Sequence, residues 1–143
     1  MSELRFLILD SAVIVGDFRG VFQKLRWLQW RRCRRDYEAT DVDTKDLLIL
    51  DLSGSAITED WKGWENITLI NVKVLNLSGC TDLLLTPNFT KSPELERLIL
   101  EGCALLVHID PSIGTLKQLV YLNLKSCQEL NILPQELGPK SRS

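Results

Sequence analysis

One nine-residue pattern, L-x-x-L-x-L-x-x-C with substitutions, constrains this chain more than any other feature, because it recurs six times. The copies begin at Leu4, Leu25, Leu47, Val72, Leu95 and Leu119, with steps of 21, 22, 25, 23 and 24 residues. The three apolar slots hold Leu4, Leu7, Leu9; Leu25, Leu28, Trp30; Leu47, Leu50, Leu52; Val72, Leu75, Leu77; Leu95, Leu98, Leu100; and Leu119, Leu122, Leu124. Sixteen of these eighteen are leucine, so the spacing is a framework rather than a bias in composition. A short strand accounts for it. Alternate strand residues face opposite ways, so in Leu95-Glu96-Arg97-Leu98-Ile99-Leu100-Glu101 the residues Leu98 and Leu100 face inward while Arg97, Ile99 and Glu101 face outward. One such turn cannot bury its leucines alone; stacked turns share a continuous core.

The step lies within the roughly 20–29 residue range of leucine-rich repeats. The expected fold class is therefore an α/β repeat, a leucine-rich repeat solenoid of about six turns. Parallel strands line its concave face, and irregular or short helical connections form the convex side. Leu83, Leu106 and Leu130 each follow a cysteine by three residues, and Pro87, Pro111 and Pro134 then interrupt regular helix. The second and third return paths are expected to be the irregular ones, with Trp61 and Trp64 as large wedges in the third. The repeat domain is expected over residues 1–137, with 138–143 a polar tail. Neither end carries a dedicated cap, and an uncapped solenoid exposes its leucine core, as a segment of a longer array would.

Cys33, Cys80, Cys103 and Cys127 all fall at the ninth position, where Ala12 and Ser55 stand in the other two copies. That slot reads as structural: a small side chain turned inward where the strand ends, contacting the backbone of the following loop, with a buried reduced thiol. Stacked equivalents form a line rather than a tetrahedron, and no C-x-x-C or histidine pair accompanies them, so no metal site is expected. A rung spacing of about 4.8 Å leaves a Cys80–Cys103 or Cys103–Cys127 disulfide open on distance, and a reducing compartment excludes it.

Composition excludes several function classes. A net charge of −2 with 25% charged residues gives no global electrostatic footprint for nucleic acid or an anionic membrane. Glu3, Arg5 and Asp10 interrupt the N-terminal apolar stretch that an export signal needs, and no run approaches a membrane span. Phosphate-loop and dinucleotide fingerprints are missing, and the lone His108 has no nucleophile and acid placed beside it, so no enzyme activity and no cofactor are expected. The segment Trp27-Leu28-Gln29-Trp30-Arg31-Arg32-Cys33-Arg34-Arg35 is the most suggestive local feature. Arginines beside tryptophans suit stacked bases. Acidic residues follow at Asp36, Glu38, Asp41 and Asp43, however, which favours a salt-bridged or protein-contacting patch. The sequons at Asn66, Asn76 and Asn88 read as chance matches in a chain without an export signal.

The turns resemble the leucine-rich repeats of plant intracellular immune receptors of the TIR–NB-ARC–LRR type. The resemblance rests on Leu50-Asp51-Leu52-Ser53-Gly54-Ser55, Val74-Leu75-Asn76-Leu77-Ser78-Gly79-Cys80, Leu98-Ile99-Leu100-Glu101-Gly102-Cys103, Ile109-Asp110-Pro111-Ser112-Ile113-Gly114 and Leu122-Asn123-Leu124-Lys125-Ser126-Cys127, and it covers nearly the whole chain. It implies a non-enzymatic recognition and autoinhibition module of plant defence, in the cytoplasm or shared between nucleus and cytoplasm. The implied protein partners are a pathogen effector, a guarded host protein or the nucleotide-binding NB-ARC domain. The TIR and NB-ARC regions, which would carry NAD cleavage and nucleotide binding, are not in this sequence. The alternative is a structural adaptor, such as the repeat arm of a ubiquitin ligase, using the same face.

Outward strand positions are then the candidate protein-binding residues: Trp27, Gln29, Arg31, Asp51, Asn76, Arg97, Glu101, Tyr121, Asn123 and Lys125. Trp27, Arg31, Arg97 and Tyr121 are the expected anchors, since aromatic and arginine side chains dominate interface energetics.

Overall fold

The computed structural model describes residues 3–12, 20–34 and 43–138. Six strands form one parallel sheet in sequence order: β1 (Phe6–Asp10), β2 (Trp27–Arg31), β3 (Ile49–Asp51), β4 (Val74–Asn76), β5 (Arg97–Ile99) and β6 (Tyr121–Asn123). The register places Leu7, Leu28, Leu50, Leu75, Leu98 and Leu122 side by side, all from the second apolar slot of the pattern. Leu28, Leu50, Leu75 and Leu98 are fully buried, whereas Leu7 and Leu122 in the end turns are only partly covered. Each strand shields the leucine of its neighbours, and an end strand has one neighbour. The framework leucines of the two end strands are thus half-buried rather than enclosed.

The return side is built as its prolines and polar caps require. It contains helix α1 (Gly63–Asn66) and three short 3₁₀ turns, Phe89–Lys91, Pro111–Thr115 and Gln135–Leu137. Asn88 and Asp110 cap two of these, their side-chain oxygens accepting from the amides of Thr90 and Ser112. Adjacent turns are tied by side chains: Ser112 Oγ accepts from Phe89 N at 2.8 Å, and Thr86 Oγ1 accepts from Asp110 N at 2.8 Å. Trp64, Phe89, Ile113 and Leu137 occupy corresponding places and close the core from this side. Trp61 and Trp64 meet edge-to-face with ring centroids 5.1 Å apart, the wedge that the sequence suggested. The second return path, which was expected to be irregular, and the polar tail from residue 139 lie outside the described residues.

The corner after each strand repeats a feature that sequence alone did not show. The eighth position of all six copies is left-handed: Gly54, Gly79 and Gly102 have φ of 69°, 69° and 79°, and Ser11, Arg32 and Ser126 have 59°, 54° and 62°. The amide of this residue donates to the preceding-position carbonyl of the next turn, as in Gly54 N to Ser78 O and Gly79 N to Glu101 O, both at 2.8 Å. The conformation costs a side-chain-bearing residue about 1 kcal/mol or more, and glycine avoids that cost. Ser126→Gly is expected to raise stability by about 1 kcal/mol and Gly79→Ala to lower it by about 1–2 kcal/mol, read as shifts of the urea midpoint.

The ninth position explains the cysteines. Cys80, Cys103 and Cys127 Sγ donate to the main-chain carbonyls of Leu52, Leu77 and Leu100, at 3.4, 3.1 and 3.1 Å. The contact therefore runs to the preceding turn, not to the following loop as expected. Inward direction and hydrogen bonding go together here, because the third leucine slot of the previous turn lies directly beneath the thiol. Ser55 fills the same slot, donating to Trp30 O at 3.3 Å and accepting from Cys33 N at 2.9 Å. Cys33 differs, its Sγ reaching Arg34 O at 3.7 Å. None of the four cysteines is in a disulfide, and all four are buried.

Burial pushes the Cys80 thiol up to about 12 and Cys103 to about 11, from an ordinary 9.0, and raises Cys127 as well. The unfolded chain releases these protons near pH 9 while the folded one retains them. Stability is expected to hold steady below about pH 8.5 and to fall between pH 9 and about 11. Urea titrations across that range check this, and Cys80→Ser should flatten the fall.

Candidate protein-recognition face

The outward side chains of the six strands lie in three rows across the sheet. The leading row is Phe6, Trp27, Ile49, Val74, Arg97 and Tyr121. The middle row is Ile8, Gln29, Asp51, Asn76, Ile99 and Asn123. Asp10, Arg31, Ser53, Ser78, Glu101 and Lys125 form the trailing row at the strand ends. The structure thus brings all ten sequence-predicted binding residues onto one surface, but it divides them by what they already bond.

Most of the polar ones are engaged within their own strand ends. Asp51 Oδ1 accepts from the Ser53 amide at 2.9 Å and from its hydroxyl. Asn76 Oδ1 does the same with Ser78, at 3.0 and 2.6 Å. Asn123 Oδ1 accepts from Lys125 N at 3.0 Å, and its Nδ2 donates to Glu101 Oε1 at 3.1 Å. With the Gln29 amide oriented by its hydrogen bonds, its oxygen accepts from Arg31 Nε and Nη2 at 2.6 and 2.8 Å. The bonds from Ser53 N, Ser78 N and Lys125 N are turn-forming, a short acceptor side chain satisfying backbone two residues on. They hold the strand exit in shape before any partner arrives.

The arginine segment is resolved in the same way. Arg32 Nε donates to Asp10 Oδ1 at 2.7 Å and Nη2 donates to Oδ2, a two-point pair that holds the Asp10 carboxyl below its ordinary range. Arg34 is exposed, and Arg35 with Asp36, Glu38 and Asp41 lies outside the described residues. In the described part of this segment Arg32 is thus salt-bridged, to Asp10 rather than to the acidic run that follows.

The leading row is different in kind. Phe6 and Trp27 stack with ring centroids 4.8 Å apart and planes tilted by 32°. Phe6 is 58% exposed and the neighbouring Ile8 66%, with Ile49 and Val74 half-buried beside them. At the other end the Arg97 guanidinium lies 4.5 Å over the Tyr121 ring, and both side chains are exposed. The expected anchors Trp27, Arg97 and Tyr121 thus fall in one row, while Arg31 belongs to the strand-end network. Phe6, Ile8, Ile49, Val74 and Ile99 stand on the same outward face, as the register of the pattern requires, although the candidate binding residues did not include them.

His108 is exposed in a return path, where its backbone pairs with Leu85. Among the described residues no group of three or more histidine, cysteine or acidic side chains is placed to hold a metal ion, and no helix is long and apolar enough to cross a membrane. A cavity of about 370 Å³ on the return side is lined by Glu59, Asp60 and Glu65 together with Lys62, Lys91, Trp61 and Trp64. Its charges are of both signs.

Comparison with known proteins agrees with this architecture. The chain is 36% identical over 102 residues to the disease resistance protein RPV1 of Vitis rotundifolia, covering 71% of this chain and 7% of that protein. It is 35% identical over 143 residues to the disease resistance protein RPP4 of Arabidopsis thaliana, covering 99% and 12%. The disease resistance protein RUN1 of Vitis rotundifolia matches at 36% over 101 residues, 71% of this chain and 7% of its own length. The chain thus spans only about a tenth of the length of such relatives. A scan of protein-family models finds none that matches. Among solved structures, the leucine-rich repeat domain of the type III effector XopL is similar in fold, with a TM-score of 0.54 and 24% identity over 78% of this chain and 49% of that one. The six-turn sheet, its leucine framework and these relatives together identify the chain as a leucine-rich repeat segment homologous to plant disease resistance proteins.

Proposed function

We propose that this chain is a non-enzymatic protein-recognition and autoinhibition module of a plant immune receptor, working through its concave strand face in the cytoplasm. The observation that carries the reading is the leading row, a contiguous strip of aromatic, aliphatic and arginine side chains, exposed at both ends and half-buried between, beside polar groups largely bonded within their own strand ends. Exposed apolar strips rimmed by polar groups mark interaction surfaces, and Trp, Tyr and Arg are the residues that anchor them. The partner is a protein: a pathogen effector, a guarded host protein, or the nucleotide-binding switch domain of the same receptor.

Capture of a separately expressed NB-ARC segment by the folded chain tests the autoinhibitory part. Binding that weakens about tenfold or more in Trp27→Ala supports it, since an interface anchor is worth about 2 kcal/mol. A folded chain that captures nothing counts against it.

A further inference from the structure

The leading row also narrows what its partner must look like, granted that the concave face is the recognition surface. Its side chains cross five rung steps of roughly 4.8 Å, about 24 Å in all. Four of them, Phe6, Trp27, Ile49 and Val74, are apolar and adjacent; then comes Arg97 on Tyr121. Arg97 carries the one charge of this row. Among the described residues no carboxylate forms an ion pair with it, whereas Asp10 is paired with Arg32 and Glu96 with Lys73.

Backbone chemistry decides the partner's conformation. An extended peptide laid along the row would turn unpaired N–H and C=O groups toward apolar side chains. Of the acceptors that could have met them, Asp51 Oδ1, Asn76 Oδ1 and Asn123 Oδ1 already accept from Ser53, Ser78 and Lys125. Unpaired backbone groups taken out of water cost free energy comparable to a lost hydrogen bond. An α-helix satisfies its own backbone, and about sixteen residues of helix span 24 Å. The chemistry that fits is therefore an amphipathic helix with an apolar stripe and a carboxylate near one end.

We infer that the leading row receives an amphipathic helix of a partner protein, its apolar side chains against Phe6, Trp27, Ile49 and Val74 and an acidic side chain against Arg97. The Arg97 guanidinium lies over the Tyr121 ring, so its charge is presented at that end of the row, and it sets the direction in which the helix lies.

The test uses the whole chain and a synthetic helical peptide of about eighteen residues, with leucine at every third or fourth position and one glutamate in the last turn. A second peptide carries lysine in place of that glutamate, and a third carries a central proline that breaks the helix. Affinities are read by calorimetry. The glutamate peptide should bind about tenfold more tightly than the lysine peptide, Arg97→Glu should reverse the order, and the proline peptide should lose about tenfold. Ile8→Ser, at an exposed position that folding does not need, should weaken the two helical peptides alike. Equal binding of the glutamate and lysine peptides, a preference that survives Arg97→Glu, undiminished binding of the proline peptide, or no binding of any peptide overturns the inference. Failure of NB-ARC capture with the peptide preferences intact removes only the autoinhibitory reading. Peptides that bind without charge preference, yet weaken in Ile8→Ser, remove the acidic helix and leave concave-face recognition standing.

Discussion

Phe89→Ala is expected to lower the unfolding free energy by about 3–5 kcal/mol, the range for deleting a fully buried aromatic side chain. Phe89 has no exposed surface, and it sits between Trp64 and Ile113 in the series that closes the core from the return side. Its backbone amide is held by Ser112 Oγ of the next turn, which fixes the start of the 3₁₀ turn and prevents the strand-to-return path from collapsing into the space left behind. A cavity that cannot relax carries the upper part of the cost. Chemical denaturation measures it directly, and Phe89→Leu should lose much less. A Phe89→Ala loss below about 1 kcal/mol would mean that the return side does not share the core.

Gly63→Ala is the second large effect, and here the cause is an added atom. The ring of Trp61 lies over Gly63 so closely that any β-carbon there would be driven into it. Trp61 is itself buried and packed edge-to-face with Trp64, whose Nε1 donates to Thr58 O at 2.9 Å. Both indoles also border the cavity on the return side, and a ring that moved into it would give up this edge-to-face contact. Overpacking of this kind costs about 1–3 kcal/mol. Helix propensity points the other way, since alanine is favoured over glycine by about 1 kcal/mol within a helix. A destabilised variant therefore means that ring packing outweighs propensity at α1, and an increase in midpoint would show that the ring is free to move.

The framework was legible because its cause is periodic. The leucine slots, the outward face and the cysteine position follow from a two-residue alternation within a step of about two dozen residues, and every strand lies where the pattern placed it. What was not legible depends on contacts between turns. Nothing about Arg32 announces a left-handed backbone; it shares that conformation because it occupies the slot that Gly54, Gly79 and Gly102 fill elsewhere. The direction of the thiol bonds depends on which carbonyl lies beneath each sulfur. The polar outward residues Asp51, Asn76 and Asn123 were indistinguishable in sequence from free binding groups, and only their two-residue turn bonds separate them from the leading row.

The thiol-to-carbonyl bonds from Cys80, Cys103 and Cys127 each join a turn only to the one before it, the corner amides only to the one after it, and the strand pairs only to its immediate neighbours. No described turn depends on the identity of a turn two places away for its own geometry. An in-frame deletion of one whole turn, residues 72–94 for example, would set Arg97 directly beside Ile49 and leave the neighbouring corners intact. The surface of such a chain is edited in units of one side chain per row, so a new arrangement of anchors arises by recombination without a new fold having to be found.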